Sequence, residues 1–172
     1  SLHLYGYLPL IPLGSFEAAH GAFLIITLAL NGFCAYLLGR YLSRSLLGAL
    51  LCGCLFLLSP YALLKLDMGF LQKTILWWIP LFVLSLFRYL DRPNRRDALK
   101  AGLFWALMLL TYAQYAWYSA WVGVILAILS TLKHVREWRL VIRTAWPAAI
   151  PPIIAIFLLY ANLPGGPAPS GD

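Results

Sequence analysis

The sequence predicts an all-α fold: a polytopic transmembrane helix bundle of about six spans, with both ends on the non-cytoplasmic side. Three observations carry that prediction. Hydrophobic residues make up 62% of the 172 and charged ones only 11%, with a mean hydropathy of +0.81, whereas a soluble domain carries roughly a quarter charged residues. The apolar residues fall in runs close to the about 20 helical residues that cross a bilayer. The basic residues collect in alternate connections. High hydrophobicity excludes disorder, and 13 Gly, 11 Pro and three Cys exclude collagen-like or disulfide-stapled folds.

Residues 1–19 read as an outer loop, apolar and punctuated by Pro and Gly, with no signal-peptide pattern. The first span covers about 20–39, with Ser15 as N-cap and Glu17 facing the positive helix end. The second covers about 45–64, and Ser59-Pro60 should kink or end it. The third, about 74–90, contains Pro80 in an otherwise apolar run. Residues 98–132 are too long for one span, and charge decides their path. Arg92, Arg95, Arg96 and Lys100 precede them, while Lys133, Arg136, Arg139 and Arg143 follow. A hairpin leaves both clusters on the cytoplasmic side. Its spans are about 98–113 and 118–132, turning at "TYAQYAWYS". The sixth span, about 145–162, is bent in its first half by Pro147, Pro151 and Pro152, and 163–172 form an outer tail. Small residues four apart (Ala35 and Gly39, Ala49 and Gly53, Gly102 and Ala106) would let helices approach closely. A start at Ser1 and loop-like ends read as a piece of a longer chain, whose function is the parent's.

This path puts 11 of the 13 basic residues inside and leaves only Lys65 and Lys73 outside, as the positive-inside rule requires. The net charge of +7 therefore reads as membrane orientation, not nucleic-acid binding. The expected location is an integral membrane, crossed many times.

No phosphate-loop, dinucleotide, zinc-protease or C-x-x-C motif is present. His3, His20 and His134 are too scattered for a metal site. Cys34, Cys52 and Cys54 lie in apolar stretches, packed or lipid-facing. Asp91 and Asp97 sit among arginines, where Asp97 can cap the next helix and both can pair with Arg. Glu17, Asp67 and Asp172 fall outside. Asp67, between Lys65 and Lys73 in the 65–73 connection, is either a solvated charge or a residue facing a membrane-embedded cavity. The outer ends are rich in aromatics (Tyr5, Tyr7, Tyr61, Trp77, Trp78, Tyr112, Tyr115, Trp117, Tyr118, Trp121). They read as an interfacial belt, or as the wall of a site for a lipid-linked substrate with rings that stack on sugars. The substrate-binding candidates are Asp67, Lys65, Lys73, Gln72, Glu17 and His20.

One span carries Asn31, Tyr36 and Arg40, and the next ends with Phe56, Ser59, Pro60 and Tyr61. Pro80 and Leu81 follow, then Tyr112, Tyr115 and Tyr118 at an aromatic hairpin tip. In this pattern residues 20–130 resemble bacterial membrane glycosyltransferases of the GT-C class, whose spans often carry it. The resemblance implies sugar transfer from a polyprenyl-phosphate donor to an acceptor at the outer membrane face. The family's catalytic carboxylate would lie in a loop upstream of Ser1. The family often carries His in the loop after S-P-Y, where this chain has Asp67 and no His. On this likeness Asp67 shapes the donor or acceptor cavity, and Lys65 or Lys73 meets the donor phosphate as a point charge. No cofactor is assigned to these residues; a divalent metal would belong to the parent. The expected partners are the lipid bilayer, a lipid-linked sugar donor and the rest of the parent chain. A transporter or flippase, or a non-catalytic scaffold, would share the same hydropathy and charge pattern.

Overall fold

The first apolar run folds as α1, Phe16–Ser43, in a computed structural model that describes residues 16–68, 70–133 and 145–161. Its 28 residues rise about 42 Å at 1.5 Å each, so the helix overruns the expected 20–39 at both ends. Glu17 occupies its first turn, as expected. Ser15 lies outside the described residues. The helix stops at Arg44, which adopts φ 54°, the left-handed region that usually falls to Gly or Asn. Its amide still donates to the Arg40 carbonyl at 3.2 Å. Ser45 then caps α2, Leu46–Leu57, its hydroxyl accepting from the Gly48 amide at 3.0 Å.

α1 and α2 form an antiparallel pair held at close range by small residues. A Cβ on Gly39 would lie 2.6 Å from Cys52 Cβ, and one on Gly53 would lie 2.9 Å from the Gly32 carbonyl oxygen. The small-residue pairs on these two helices are therefore contact surfaces. Cys34 is buried and Cys54 exposed, and all three cysteines are free. Residues 58 and 59 break the second run at the expected place, and Pro60 opens α3, Pro60–Asp67. α4, Leu71–Thr74, follows, so the connection over 65–73 is largely helical.

The third expected span begins late. α5 is Trp78–Asp91, and Pro80 lies in its first turn, where a missing amide costs nothing. α5 runs parallel to α1, since Asn31 meets its start and Tyr41 its end. α6, Arg95–Thr111, and α7, Ala113–Lys133, are separated by Tyr112 alone. The wide turn expected around "TYAQYAWYS" is thus corrected: residues 113–118 begin α7. The segment holds no Gly or Pro, and its Ala and Gln residues favour helix. The cap of α6 is also corrected. Asn94, not Asp97, accepts from the Asp97 amide at 2.8 Å, and its own amide donates to the Asp97 carboxylate at 2.5 Å.

The last run is bent where its prolines predict. Trp146–Ala149 is a 3₁₀ turn containing Pro147, and α8 starts at Ile150 with Pro151 and Pro152 in its first turn. Gly102 on α6 admits the 3₁₀ turn, because a Cβ there would lie 2.8 Å from Ala148 Cα. The basic run over 134–144 lies outside the described residues. Phe82, Ala101, Met108 and Ala116 form a core between α5, α6 and α7.

Among the described residues the regular structure is all helix, with no strand. Two stretches, Glu17–Ser43 and Leu46–Asp67, are long and apolar enough to cross a membrane. Large apolar side chains point outward from them, including Ile25 at 71% exposure and Leu55 at 74%. Arg40, Arg44, Arg88 and Arg92 gather at one end of the bundle.

Candidate functional site

The site is built where a helix is interrupted beside the middle of α1. Residues 75 and 76, between α4 and α5, are non-helical, which leaves backbone groups to satisfy. Asn31, fully buried on α1, satisfies two of them. Its amide donates to the Thr74 carbonyl at 2.7 Å, and its carbonyl accepts from the Leu76 amide at 3.0 Å. One side chain with both a donor and an acceptor suits this double task. The interruption is thereby fixed nine residues before Arg40, about 13 Å along the helix.

Two lysines precede this break in the chain, and ring faces hold both. Lys65 Nζ lies 5.6 Å from the Tyr61 ring centre and 5.6 Å from that of Phe70. Lys73 Nζ lies 4.6 Å from the Phe70 ring and 5.4 Å from Tyr112. These separations are within cation–π range. Phe70 is therefore shared by both cations. The lysines reach it from opposite sides in sequence, one at the end of α3 and one in α4.

A tyrosine chain ties the hairpin tip of α6 and α7 to the same place. Tyr115 Oη donates to the Lys73 carbonyl at 2.8 Å, and Tyr61 Oη lies 2.9 Å from Tyr115 Oη. Since Tyr115 spends its single proton on Lys73, Tyr61 is the donor of the second bond. Tyr112 packs edge-on against Tyr115 with ring centres 4.8 Å apart. Tyr112 also donates to Gln114 at 2.8 Å, and the Gln114 amide donates to Tyr118 at 2.9 Å. The result is a floor of rings carrying two positive charges, open on one side: Tyr61 and Phe70 are 43% and 44% exposed.

Among the six residues singled out from the sequence, the structure brings Lys65 and Lys73 together. Asp67 is the exposed last residue of α3, beside them in the chain. A carboxylate at a helix C-terminus opposes the dipole, so nothing in the packing of α3 calls for it. Gln72 is in α4, and its side chain lies outside the described residues. Glu17 and His20 sit fourteen and eleven residues before Asn31, about 21 and 16 Å along α1 from the residue that fixes the break. Sequence reasoning did not single out Phe70. The signal was its position between the only two lysines outside the basic clusters.

At the opposite end, Tyr41 Oη donates to the Asp91 carboxylate at 2.5 Å, joining α1 to α5. That bond, then partial burial and the Asp91 charge, raise the Tyr41 pKa above the usual phenol value. In comparisons with models of protein families, with curated proteins and with solved structures, the chain matches none.

Proposed function

We propose that the chain forms part of an integral glycosyltransferase of a bacterial inner membrane, crossed by about six spans. It moves a sugar from a polyprenyl-phosphate donor to an acceptor at the outer face. The observation that carries this reading is the pair Lys65 and Lys73 on a shared aromatic floor. A donor of this class is an amphiphile with an anionic phosphate, a sugar ring and a hydrocarbon tail. The ammonium groups suit the phosphate, the exposed rings suit sugar and prenyl faces, and neither alone would suit both.

On this reading Arg40 marks the inner edge of the bilayer, and both described ends of the bundle's first and last helices face outward. Lys73, next in the chain to the Thr74 carbonyl that Asn31 holds, then stands inside the bilayer, and Lys65 lies near the outer end of the Leu46–Asp67 stretch. Ionisable groups at such depth are costly and mark substrate paths. Irregular backbone at such depth is tolerated only where protein satisfies it, which is the service Asn31 performs. Lys65 or Lys73 holds the donor phosphate, the rings of Tyr61, Phe70 and Tyr112 line the donor path, and Asp67 shapes the cavity.

The test is transfer of labelled sugar from a polyprenyl-phosphate donor by the full-length protein in vesicles. Lys65→Gln and Lys73→Gln should each raise KM for the donor about tenfold, with a smaller effect on kcat. Unaltered KM in both would refute the assignment. An Asp67→Asn protein with full activity and unchanged donor affinity would remove Asp67 from the site.

A further inference from the structure

The arginine-rich end of the bundle is hollowed as well. Two adjoining clefts of about 680 and 570 Å³ open between the end of α1 and the end of α5, sharing Tyr41, Arg44, Arg88 and Asp91. Arg40 lines the first and Arg92 the second. Four guanidiniums thus face two carboxylates, Asp91 and Asp97, and both carboxylates are already engaged. Tyr41 donates to Asp91, and Asn94 donates to Asp97. Arg88 lies over the Tyr41 ring at 5.6 Å from its centre, which aligns the planar group in the shared part of the clefts.

Arg44 supplies the independent observation. It holds φ 54° at the helix-ending position where Gly fits without strain. A side chain retained in that backbone region costs stability, and such outliers concentrate at ligand sites. The first cleft is walled by Leu37, Leu42 and Phe87 beside its arginines. A free inorganic anion has no use for that wall, whereas a lipid presents a phosphodiester next to apolar chains.

We propose that Arg40, Arg44, Arg88 and Arg92 form a headgroup site for an anionic phospholipid at the inner membrane face. The site rests on the membrane placement proposed above and is independent of glycosyl transfer.

The experiment uses the full-length protein, reconstituted in phosphatidylcholine vesicles with and without one fifth phosphatidylglycerol. The lipid that stays with the protein after detergent extraction is then measured. Phosphatidylglycerol should be enriched about tenfold over its bulk share, and Arg44→Gly and Arg88→Gln should each remove most of that enrichment. Arg44→Gly relieves backbone strain, so its thermal midpoint in phosphatidylcholine should not fall. Three results would overturn the proposal: no enrichment, enrichment unchanged in both variants, or equal stabilisation by inorganic phosphate in phosphatidylcholine alone. A protein that enters neither vesicle type would instead overturn the membrane placement on which the site stands.

Discussion

Asn31 and Thr74, 43 residues apart, are joined by a 2.7 Å hydrogen bond between a buried side-chain amide and a backbone carbonyl. The same side chain takes the Leu76 amide, so one residue of α1 decides where α5 begins. This makes the break between α4 and α5 a fixed feature, and the two lysines before it inherit a fixed place.

Replacing Asn31 with Leu keeps the branched shape and leaves both backbone partners, the Thr74 carbonyl and the Leu76 amide, unpaired. Unsatisfied buried backbone groups cost about 1–3 kcal/mol. We expect Asn31→Leu to lower the thermal midpoint in detergent, and Asn31→Asp to do the same, because Asp keeps the acceptor but loses the donor to Thr74. A midpoint equal to the parent protein's in both variants would show that the bonds carry no net stability.

The α1–α2 contact makes a contrast within one helix. A side chain at Gly39 meets Cys52 and Ala49, so Gly39→Val should destabilise by about 1–3 kcal/mol through overpacking. Gly21 has open space around its Cβ direction, so Gly21→Ala should stabilise by about 0.5–1 kcal/mol through helix propensity. Thermal scans of the two variants side by side check the sign of each effect.

Tyr41 gives a pH dependence at the arginine end. Its folded-state pKa is raised, so the stabilisation is complete below the ordinary phenol pKa of about 10 and is lost as pH rises through the folded value. The difference in phenolate absorbance between the parent protein and Tyr41→Phe should titrate above pH ~10, and Asp91→Asn should bring it down toward the ordinary value. A Tyr41 signal that ignores Asp91→Asn would contradict the Tyr41–Asp91 bond.

Much of the architecture was legible in the chain because its helices lie in long apolar runs with strong punctuation between them. Ser59-Pro60 broke the second run and Pro147, Pro151 and Pro152 bent the last, each where proline geometry requires. Helix starts were less legible. Pro80 looks the same in sequence whether it kinks a helix or opens one, and only the Asn31 bonds distinguish the two. The hairpin tip misled for a related reason: polar aromatics suggest a turn, yet without Gly or Pro a single residue, Tyr112, suffices. Lys65 and Lys73 were legible as charges set apart from the basic clusters. Their common partner Phe70 was not, since a lone aromatic in an apolar chain carries no signal until the backbone folds α3 and α4 together.

Tyr115 is the bond between the hairpin tip and the lysine floor. Tyr115→Phe removes the donor to the Lys73 carbonyl and the acceptor for Tyr61 while keeping the ring. The expected result is a small loss of stability, about 1 kcal/mol, with a larger relative loss of donor affinity as Lys73 shifts. Matched measurements of thermal midpoint and donor KM on this one variant separate the two effects.

The most direct measurement is equilibrium binding of a polyprenyl phosphate, and of the same polyprenol without phosphate, to the full-length protein in detergent. The lysine pair predicts that the phosphate binds at least about tenfold tighter than the alcohol, and that Lys65→Gln with Lys73→Gln erases the difference. Equal affinity for the two lipids in the parent protein, or a preference that survives the double substitution, would contradict a phosphate-holding role for these residues.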